Sequence, residues 1–181
     1  MIQSSDEPVA KGLPAELKRL WRFGLVLSRS RDTAEDLVQA TCIRALERSH
    51  QFIPGTRLDR WLFSILHSIW INDVRSRRVR MGGGQVDAET ALVFDGAQSM
   101  ETNILAGQVL RSVEALPDAQ RETVFLVYVE GLTYREAAEF LNVPIGTIMS
   151  RLATARGRLA DLAADAAVQS QQTDRNVRSA R

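Results

Sequence analysis

Apolar residues recur every three or four positions along most of the chain, which is the period of an amphipathic helix. In the first half this pattern predicts three helices: one from Pro14 onward, a second over 32–48 with Asp32 as its N-cap, and a third over 58–78. The segment Pro54–Thr56 ("PGT") separates the last two helices. The residues predicted to face inward from the third helix are Trp61, Leu62, Ile65, Ile69 and Val74. Three helices of this length predict a compact bundle.

The second half carries another helical block, predicted to run from Glu101 to about Ala164. Within it, Pro117 favours a new helix start and Gly131 is a good C-terminal cap. The stretch Thr133–Glu136 ("TYRE") is a capping box, which predicts that a further helix begins there.

A second helix follows closely after this capping box. Ala137 and Ala138 are small enough to let it approach, "NVPIG" turns the chain, and Thr147 can cap it. Its predicted inward positions are Ile148, Leu152, Ala155 and Leu159. Its predicted outward and flanking positions are Met149, Ser150, Arg151, Thr154, Arg156 and Arg158. This layout predicts a helix-turn-helix whose second helix is offered to a DNA major groove, and an ordinary helical hairpin with a solvated arginine face is the alternative.

The composition changes between the two helical blocks. Residues 81–100 hold three consecutive glycines and three acidic residues but no lysine or arginine, so we predict a flexible, acidic, Gly-rich linker. We expect residues 1–12 to be a disordered lead, and residues 166–181, which are polar and lack periodicity, to be a disordered tail. The predicted fold is therefore all-α, with small helical domains at 13–80 and 101–165.

Charge is balanced overall but unevenly distributed. The chain has 23 basic and 22 acidic residues, so any basic surface must be local. Only two of the basic residues are lysines, and arginine suits phosphates and guanine edges, although a GC-rich genome produces the same bias. The stretch Arg75–Arg80 ("RSRRVR") places four arginines at the end of the third helix. It is either a DNA-backbone contact or a solvated face.

Little in the sequence points to bond chemistry. Cys42 is the single cysteine, which rules out an internal disulfide, and we expect it to be a small buried thiol in a reducing compartment. His50 and His67 lack metal-ligand spacing, and no serine lies in a nucleophile elbow. We therefore expect no enzyme activity, no metal or other cofactor and no small-molecule substrate. Without a signal-peptide pattern or an apolar run of about 18 residues, we expect a cytoplasmic protein that is not itself in the membrane.

Two motif blocks resemble the extracytoplasmic-function (ECF) group of bacterial sigma factors. "LPDAQRETVFLVYVEGLTYREAAEFLNVPIGTIMSRLATARGRL" is similar to the group's region 4, and "DTAEDLVQATCIRAL" with "FIPGTRLDRWLFSIL" is similar to its region 2. The resemblance covers about residues 14–80 and 101–162. Two motif blocks in the right order, separated by a linker, are far more specific than either block alone. It implies an alternative sigma factor that directs promoter-specific transcription initiation under stress or an extracytoplasmic signal.

The resemblance also implies partners. The second helix would dock on the clamp helices of RNA polymerase core, formed by its largest subunits, through Asp36, Gln39 and Arg44. Ala40 stands where the group usually has an acidic residue, and without the resemblance this polar face would be read as merely solvated. An anti-sigma factor is a further implied partner, since it would clamp the polymerase-binding surfaces.

Promoter DNA is the remaining implied partner, both as duplex and as melted strand. The residues implied to bind the downstream element are Phe52, Arg57, Trp61, His67, Ser68, Asn72, Arg75, Arg77 and Arg78. Those implied to bind the upstream element are Thr147, Met149, Ser150, Arg151, Thr154, Arg156 and Arg158. Ser68 and Asn72 depart from the group's usual asparagine and aspartate, Trp61 is either core or a stacking platform, and Trp70 either packs inside or touches the opened strand.

Two other functions fit the sequence less well. A dimeric helix-turn-helix regulator that never joins polymerase would bind duplex DNA tightly on its own. A pure interaction module would leave the arginine surfaces without a role.

Overall fold

The computed structural model describes residues 7–80 and 113–161, apart from the side chain of Arg78. All the regular structure in these two ranges is helical, which confirms the all-α prediction. The chain divides into two compact units, Met1–Leu92 and Val93–Arg181. The predicted linker, the tail and residues 101–112 lie outside the described residues. Of the helices that are described, none has the length and apolar character that a membrane span requires.

Within its described residues, 7–80, the first unit is a bundle of three helices. Helix α1 spans Glu7–Ser28, α2 spans Arg31–Glu47, and α3 spans Leu58–Arg80, with a single 3-10 turn at Ser49–Gln51. Its fully buried side chains come from α1 and α3 above all, and the rings of Phe23 and Phe63 meet edge to face with centroids 5.2 Å apart. This core holds the surfaces of α2 and α3 in place.

Helix α1 begins earlier than the sequence indicated. The prediction of a disordered lead over 1–12 is wrong for residues 7–12, which are helical, and Pro14 lies inside the helix. Val9 is completely buried, and Gly12 lies so close to α3 that an added Cβ would be 2.3 Å from the Leu58 side chain. The packing of these two residues against the rest of the unit offsets the loss of the hydrogen bond that Pro14 cannot donate.

Two further local predictions need correction. The N-cap of α2 is Ser30, whose hydroxyl accepts from the Thr33 amide at 3.3 Å, and Asp32 lies inside the first turn. On α3, Leu62 and Ile65 are buried as predicted, but Trp61, Ile69 and Val74 are only half-buried. Phe63 and Leu66 take the inner positions, so the buried face of α3 is rotated from the predicted one.

The second unit contains the helix-turn-helix. Helix α4 spans Asp118–Val124 and follows Pro117, as predicted, and it continues as a π-helical turn over Phe125–Val129 that the sequence did not indicate. Gly131, at φ +70°, ends this segment in the left-handed conformation that glycine adopts readily. Helix α5 spans Tyr134–Leu141, and α6 spans residues 145–161.

Candidate nucleic-acid interface

Local hydrogen bonds fix both ends of α5, and those at its end shape the turn into α6. At the predicted capping box, the Thr133 hydroxyl accepts from the Glu136 amide at 3.3 Å, and the Glu136 carboxylate accepts from the Thr133 amide at 2.8 Å. Asn142 ends α5 in the left-handed conformation at φ 51°, and the Val143 amide donates to the Ala138 carbonyl. Ala137 and Ala138 are both buried, as close helix packing requires. The hydrogen bonds and the left-handed residue at the end of α5 therefore set the direction in which α6 begins.

Helix α6 has the predicted division into two faces. Ile148, Leu152 and Ala155 are completely buried and Leu159 is half-buried. On the other side Met149, Ser150, Thr154, Arg156 and Arg158 are exposed, while Arg151 is half-buried. The structure thus brings the predicted upstream-element residues together on one helix.

Thr147 does not cap α6. The helix begins at residue 145, and the Thr147 amide already donates to the Pro144 carbonyl at 2.8 Å, so Thr147 lies in the first turn and is half-buried. Because the helix starts three residues earlier than a cap at Thr147 would allow, Ile145 joins the outer surface and is 44% exposed. Sequence reasoning missed Ile145, although its spacing of four from Met149 is a signal that an earlier helix start would have revealed.

The two hydroxyl groups on the outer face of α6 donate to its own backbone. Ser150 Oγ donates to the Thr147 carbonyl and Thr154 Oγ1 donates to the Ser150 carbonyl, each at 3.0 Å. In this arrangement their oxygens offer only lone pairs outward.

In the first unit, the loop between the 3-10 turn and α3 is compact. Thr56 donates to the Ile53 carbonyl through its amide (3.1 Å) and its hydroxyl (2.7 Å), and Gly55 has φ +89°. Ile53 is 68% exposed at its tip, whereas Phe52 is buried with its ring centroid 5.4 Å from that of Trp61. The ring of Phe52 therefore anchors the loop, and its contact with DNA stays a prediction.

Asp59 holds the end of this loop. Arg57 donates to its carboxylate through Nη2 at 2.7 Å and Nε at 3.2 Å, and Arg19 of α1 donates to Oδ2 at 3.0 Å. Burial of the carboxylate opposes ionisation, but the hydrogen bonds from Arg57, Arg19 and the Arg60 amide outweigh it and lower the pKa of Asp59 to about 2. Sequence reasoning missed Asp59, because the signal "RLD" does not reveal the long-range partner Arg19.

Helix α3 presents a polar strip beyond this loop. Ser68, Asn72 and Arg75 are exposed at spacings of four and three, which places them on one side of the helix. Arg77 is also exposed and its guanidinium lies 2.6 Å from the Asp73 carboxylate. His67 and both tryptophans of α3 are half-buried, and the side chain of Arg78 is outside the described part.

The outer face of α2 is less polar than predicted. Asp36 and Gln39 are exposed and Arg44 is half-buried, but Ile43 (59% exposed) and Leu46 (47%) also lie open on this helix. Sequence reasoning overlooked these two apolar residues, because the positions it assigned to α2 were either inward or polar. Cys42 is half-buried, and its burial raises the pKa of the thiol above its ordinary value.

Comparison with known proteins assigns both units to one family. The family model of Sigma-70 region 2 matches residues 15–80, and that of Sigma-70 region 4 matches residues 106–159. The ECF RNA polymerase sigma factor EcfG of Rhodopseudomonas palustris is 34% identical over 148 residues, which is 82% of this chain and 81% of that protein. The ECF sigma factor SigM of Bacillus subtilis is 30% identical over 77% of this chain and 85% of that protein.

Solved structures agree with this assignment. The sigma factor RpoE of Bartonella quintana, crystallised with the anti-sigma factor NepR, matches with a TM-score of 0.70 and 32% identity. That match covers 84% of this chain and 94% of the RpoE chain. Two family models match in order, one relative matches over most of both lengths, and the fold is shared. The chain therefore belongs to the ECF group of RNA polymerase sigma factors, which are alternative sigma factors.

Proposed function

We propose that this alternative sigma factor joins RNA polymerase core through α2 and selects promoters with α3 and α6. The observation that carries the proposal is the outer face of α6, which presents polar side chains and arginines from a rigid helix-turn-helix, in a chain that also matches region 2. We assign region 2 to residues 13–80, region 4 to residues 101–165 and a linker to residues 81–100.

For polymerase docking we assign the outer face of α2. Asp36 and Gln39 supply exposed polar groups, and Arg44 lies half-buried on the same helix. Exposed Ile43 and Leu46 add an apolar centre, and an apolar centre with a polar rim is the usual anatomy of a protein interface.

For the downstream promoter element we assign the loop 53–57 and the polar strip of α3. Ser68 and Asn72 are open to a base, and Arg75 and Arg77 are open to backbone phosphates. A base that leaves the stack costs a few kcal/mol, so its pocket has to be rigid. Phe52 and Asp59 support that rigidity by anchoring the two ends of the loop.

We also propose regulation by an anti-sigma factor and action in the cytoplasm. RpoE of Bartonella quintana, which shares 32% identity with this chain, was crystallised with NepR, and the exposed apolar residues of α2 offer a surface for a partner of that kind. The sigma factor itself would break no bond, because polymerase supplies the chemistry of transcription.

Transcription in vitro tests the proposal. Purified bacterial core polymerase is run with and without the full chain on promoter fragments from its own genome, and we expect discrete new transcripts. Asp36→Ala combined with Gln39→Ala should reduce co-elution with core and reduce transcription together, whereas Lys18→Ala on α1 should change neither. Absence of both transcripts and co-elution, combined with tight duplex binding by the free protein, would favour a conventional helix-turn-helix regulator.

A further inference from the structure

The outer surface of α6 exposes two large apolar side chains near the start of the helix. Ile145 and Met149 lie one helical turn apart and are 44% and 49% exposed. On a face that binds DNA, an exposed apolar pair can pack against apolar groups of the bases. Between Ile145 and Thr154, Arg151 is the one residue with a cationic side chain, and it is half-buried. The first half of α6 is therefore poor in donors for guanine.

The exposed hydroxyl groups of Ser150 and Thr154 on α6 restrict the ligand further. Ser150 and Thr154 direct their protons to backbone carbonyls of α6, so outward they accept hydrogen bonds and do not donate them. In the major groove, the N6 amino group of adenine and the N4 amino group of cytosine donate hydrogen bonds. Of the four bases, only thymine presents a methyl group there. An A·T base pair supplies both the methyl group and the donor.

Charge favours DNA over a protein partner on this face. Arg156 and Arg158 follow on the same helix, both are exposed, and both can reach backbone phosphates. The apolar pair thus lies between the turn of the helix-turn-helix and a cationic second half.

We propose that Ile145 and Met149 are specificity-determining residues that contact thymine C5-methyl groups in the major groove. The upstream promoter element then contains A·T base pairs opposite the first half of α6, with adenine amino groups donating to Ser150 and Thr154. This inference rests on the proposed function, since it names what α6 reads within a promoter.

Uracil substitution gives a test at the level of one methyl group. The full chain is assembled with core polymerase, a promoter duplex is selected from a random-sequence library, and each thymine of the upstream element is replaced singly by deoxyuridine. Loss of one buried methyl group should weaken binding about fourfold at the contacted positions. Thymines outside the element serve as controls and should tolerate the change.

Variants of the two residues assign each methyl contact. In Met149→Ala the uracil penalty at one position should shrink to nearly onefold, and Met149→Leu, which keeps an apolar side chain, should retain it. Ile145→Ala should abolish the penalty at a neighbouring thymine. Both side chains are about half exposed, so their truncation leaves the core intact.

Several outcomes would overturn the inference while leaving promoter recognition in place. These are a selected element without thymine, thymines that all tolerate uracil, or a penalty that persists undiminished in both alanine variants. A Met149→Ala variant that weakens binding to core polymerase but leaves promoter binding by assembled holoenzyme unchanged would show that Met149 contacts polymerase and not DNA. If the holoenzyme selects no sequence at all, the proposed function itself fails.

Discussion

At the scale of single residues, the carboxylate of Asp59 decides how the loop before α3 is held. It receives hydrogen bonds from Arg57, the last residue of the loop, and from Arg19, which is 40 positions away on α1. The Arg19 guanidinium also lies 5.4 Å from the centroid of the Phe63 ring. One acidic side chain therefore links the loop to the core of the first unit.

Stability of the first unit should depend on the ionisation of Asp59. Its pKa is about 2 in the folded chain against an ordinary value of 3.8, so the stabilisation is fully present above about pH 4 and is lost as pH falls toward 2. The shift corresponds to about 2 kcal/mol. We expect Asp59→Asn to lower the free energy of unfolding by about this amount at pH 7 and by much less near pH 2.5.

Urea unfolding followed by tryptophan fluorescence measures this effect, because all three tryptophans lie in the first unit, at Trp21, Trp61 and Trp70. A deficit in Asp59→Asn that stays constant from pH 7 to pH 2.5 would contradict the role assigned to the charge.

Arg151 is the residue of α6 best suited to a guanine. A bidentate contact to one base pair contributes about 1–3 kcal/mol of discrimination, so Arg151→Ala should reduce the preference for promoter over unrelated duplex by roughly five- to 150-fold. Competition binding with assembled holoenzyme measures this preference, and Lys18→Ala is the control. An equal loss on every sequence would show that Arg151 contacts only backbone.

At the scale of secondary-structure elements, two glycines lie on different kinds of helix surface, one packed closely against another helix and one open. A Cβ on Gly24 of α1 would lie 3.2 Å from Ala34 Cα and 3.3 Å from the Ala34 carbonyl oxygen on α2. A Cβ on Gly157 of α6 would meet nothing within 4 Å. The first glycine permits a close helix crossing, and the second faces open space.

These two glycines should respond oppositely to alanine. Gly24→Ala should destabilise the first unit by about 1 kcal/mol, because overpacking against backbone costs about 1–3 kcal/mol and the gain in helix propensity returns up to about 1 kcal/mol. Gly157→Ala lacks the clash and should stabilise the second unit by up to about 1 kcal/mol. Thermal unfolding followed by circular dichroism compares them, and a stabilised Gly24→Ala variant would mean that the helices part without cost.

The sequence predicted those elements whose signals are local. The capping box at Thr133 and the glycine stop at Gly131 depend on a few neighbouring residues, and both are found where expected. The start of α1 and the burial of Phe52 depend on contacts between elements, such as Gly12 against Leu58 and the ring of Phe52 against Trp61. Spacing along the chain carries no information about such contacts, so the start of α1 was predicted wrongly and the burial of Phe52 was not predicted.

At the scale of the whole molecule, charge is arranged locally on a chain of net charge +1. Arg75 and Arg77 are exposed at the end of α3, and Arg156 and Arg158 are exposed on α6. A nearly neutral chain has little long-range attraction for DNA, so the chain's own contribution to the salt dependence of promoter binding should come from these local groups.

Removal of the first pair should therefore weaken promoter binding with little regard to sequence. For Arg75→Ala combined with Arg77→Ala, the plot of log affinity against log salt should become shallower by up to about two units, at about 0.9 per phosphate contact. Binding of holoenzyme between 50 and 200 mM salt, a range chosen because backbone contacts respond strongly across it, measures the slope. An unchanged slope would place both arginines away from the DNA backbone.

Cys42 allows the accessibility of α2 to be measured by alkylation of a single thiol. It is the single thiol of the chain, half-buried beside exposed Ile43, and its raised pKa keeps the thiolate fraction small at neutral pH. Alkylation with iodoacetamide should therefore be slow, accelerate as pH rises, and modify one position alone. Covering α2 with core polymerase should slow it further, and an unchanged rate in the assembled complex would mean that polymerase binds elsewhere. The protein thus carries its own footprinting probe at the surface where its regulators and its polymerase are expected to compete.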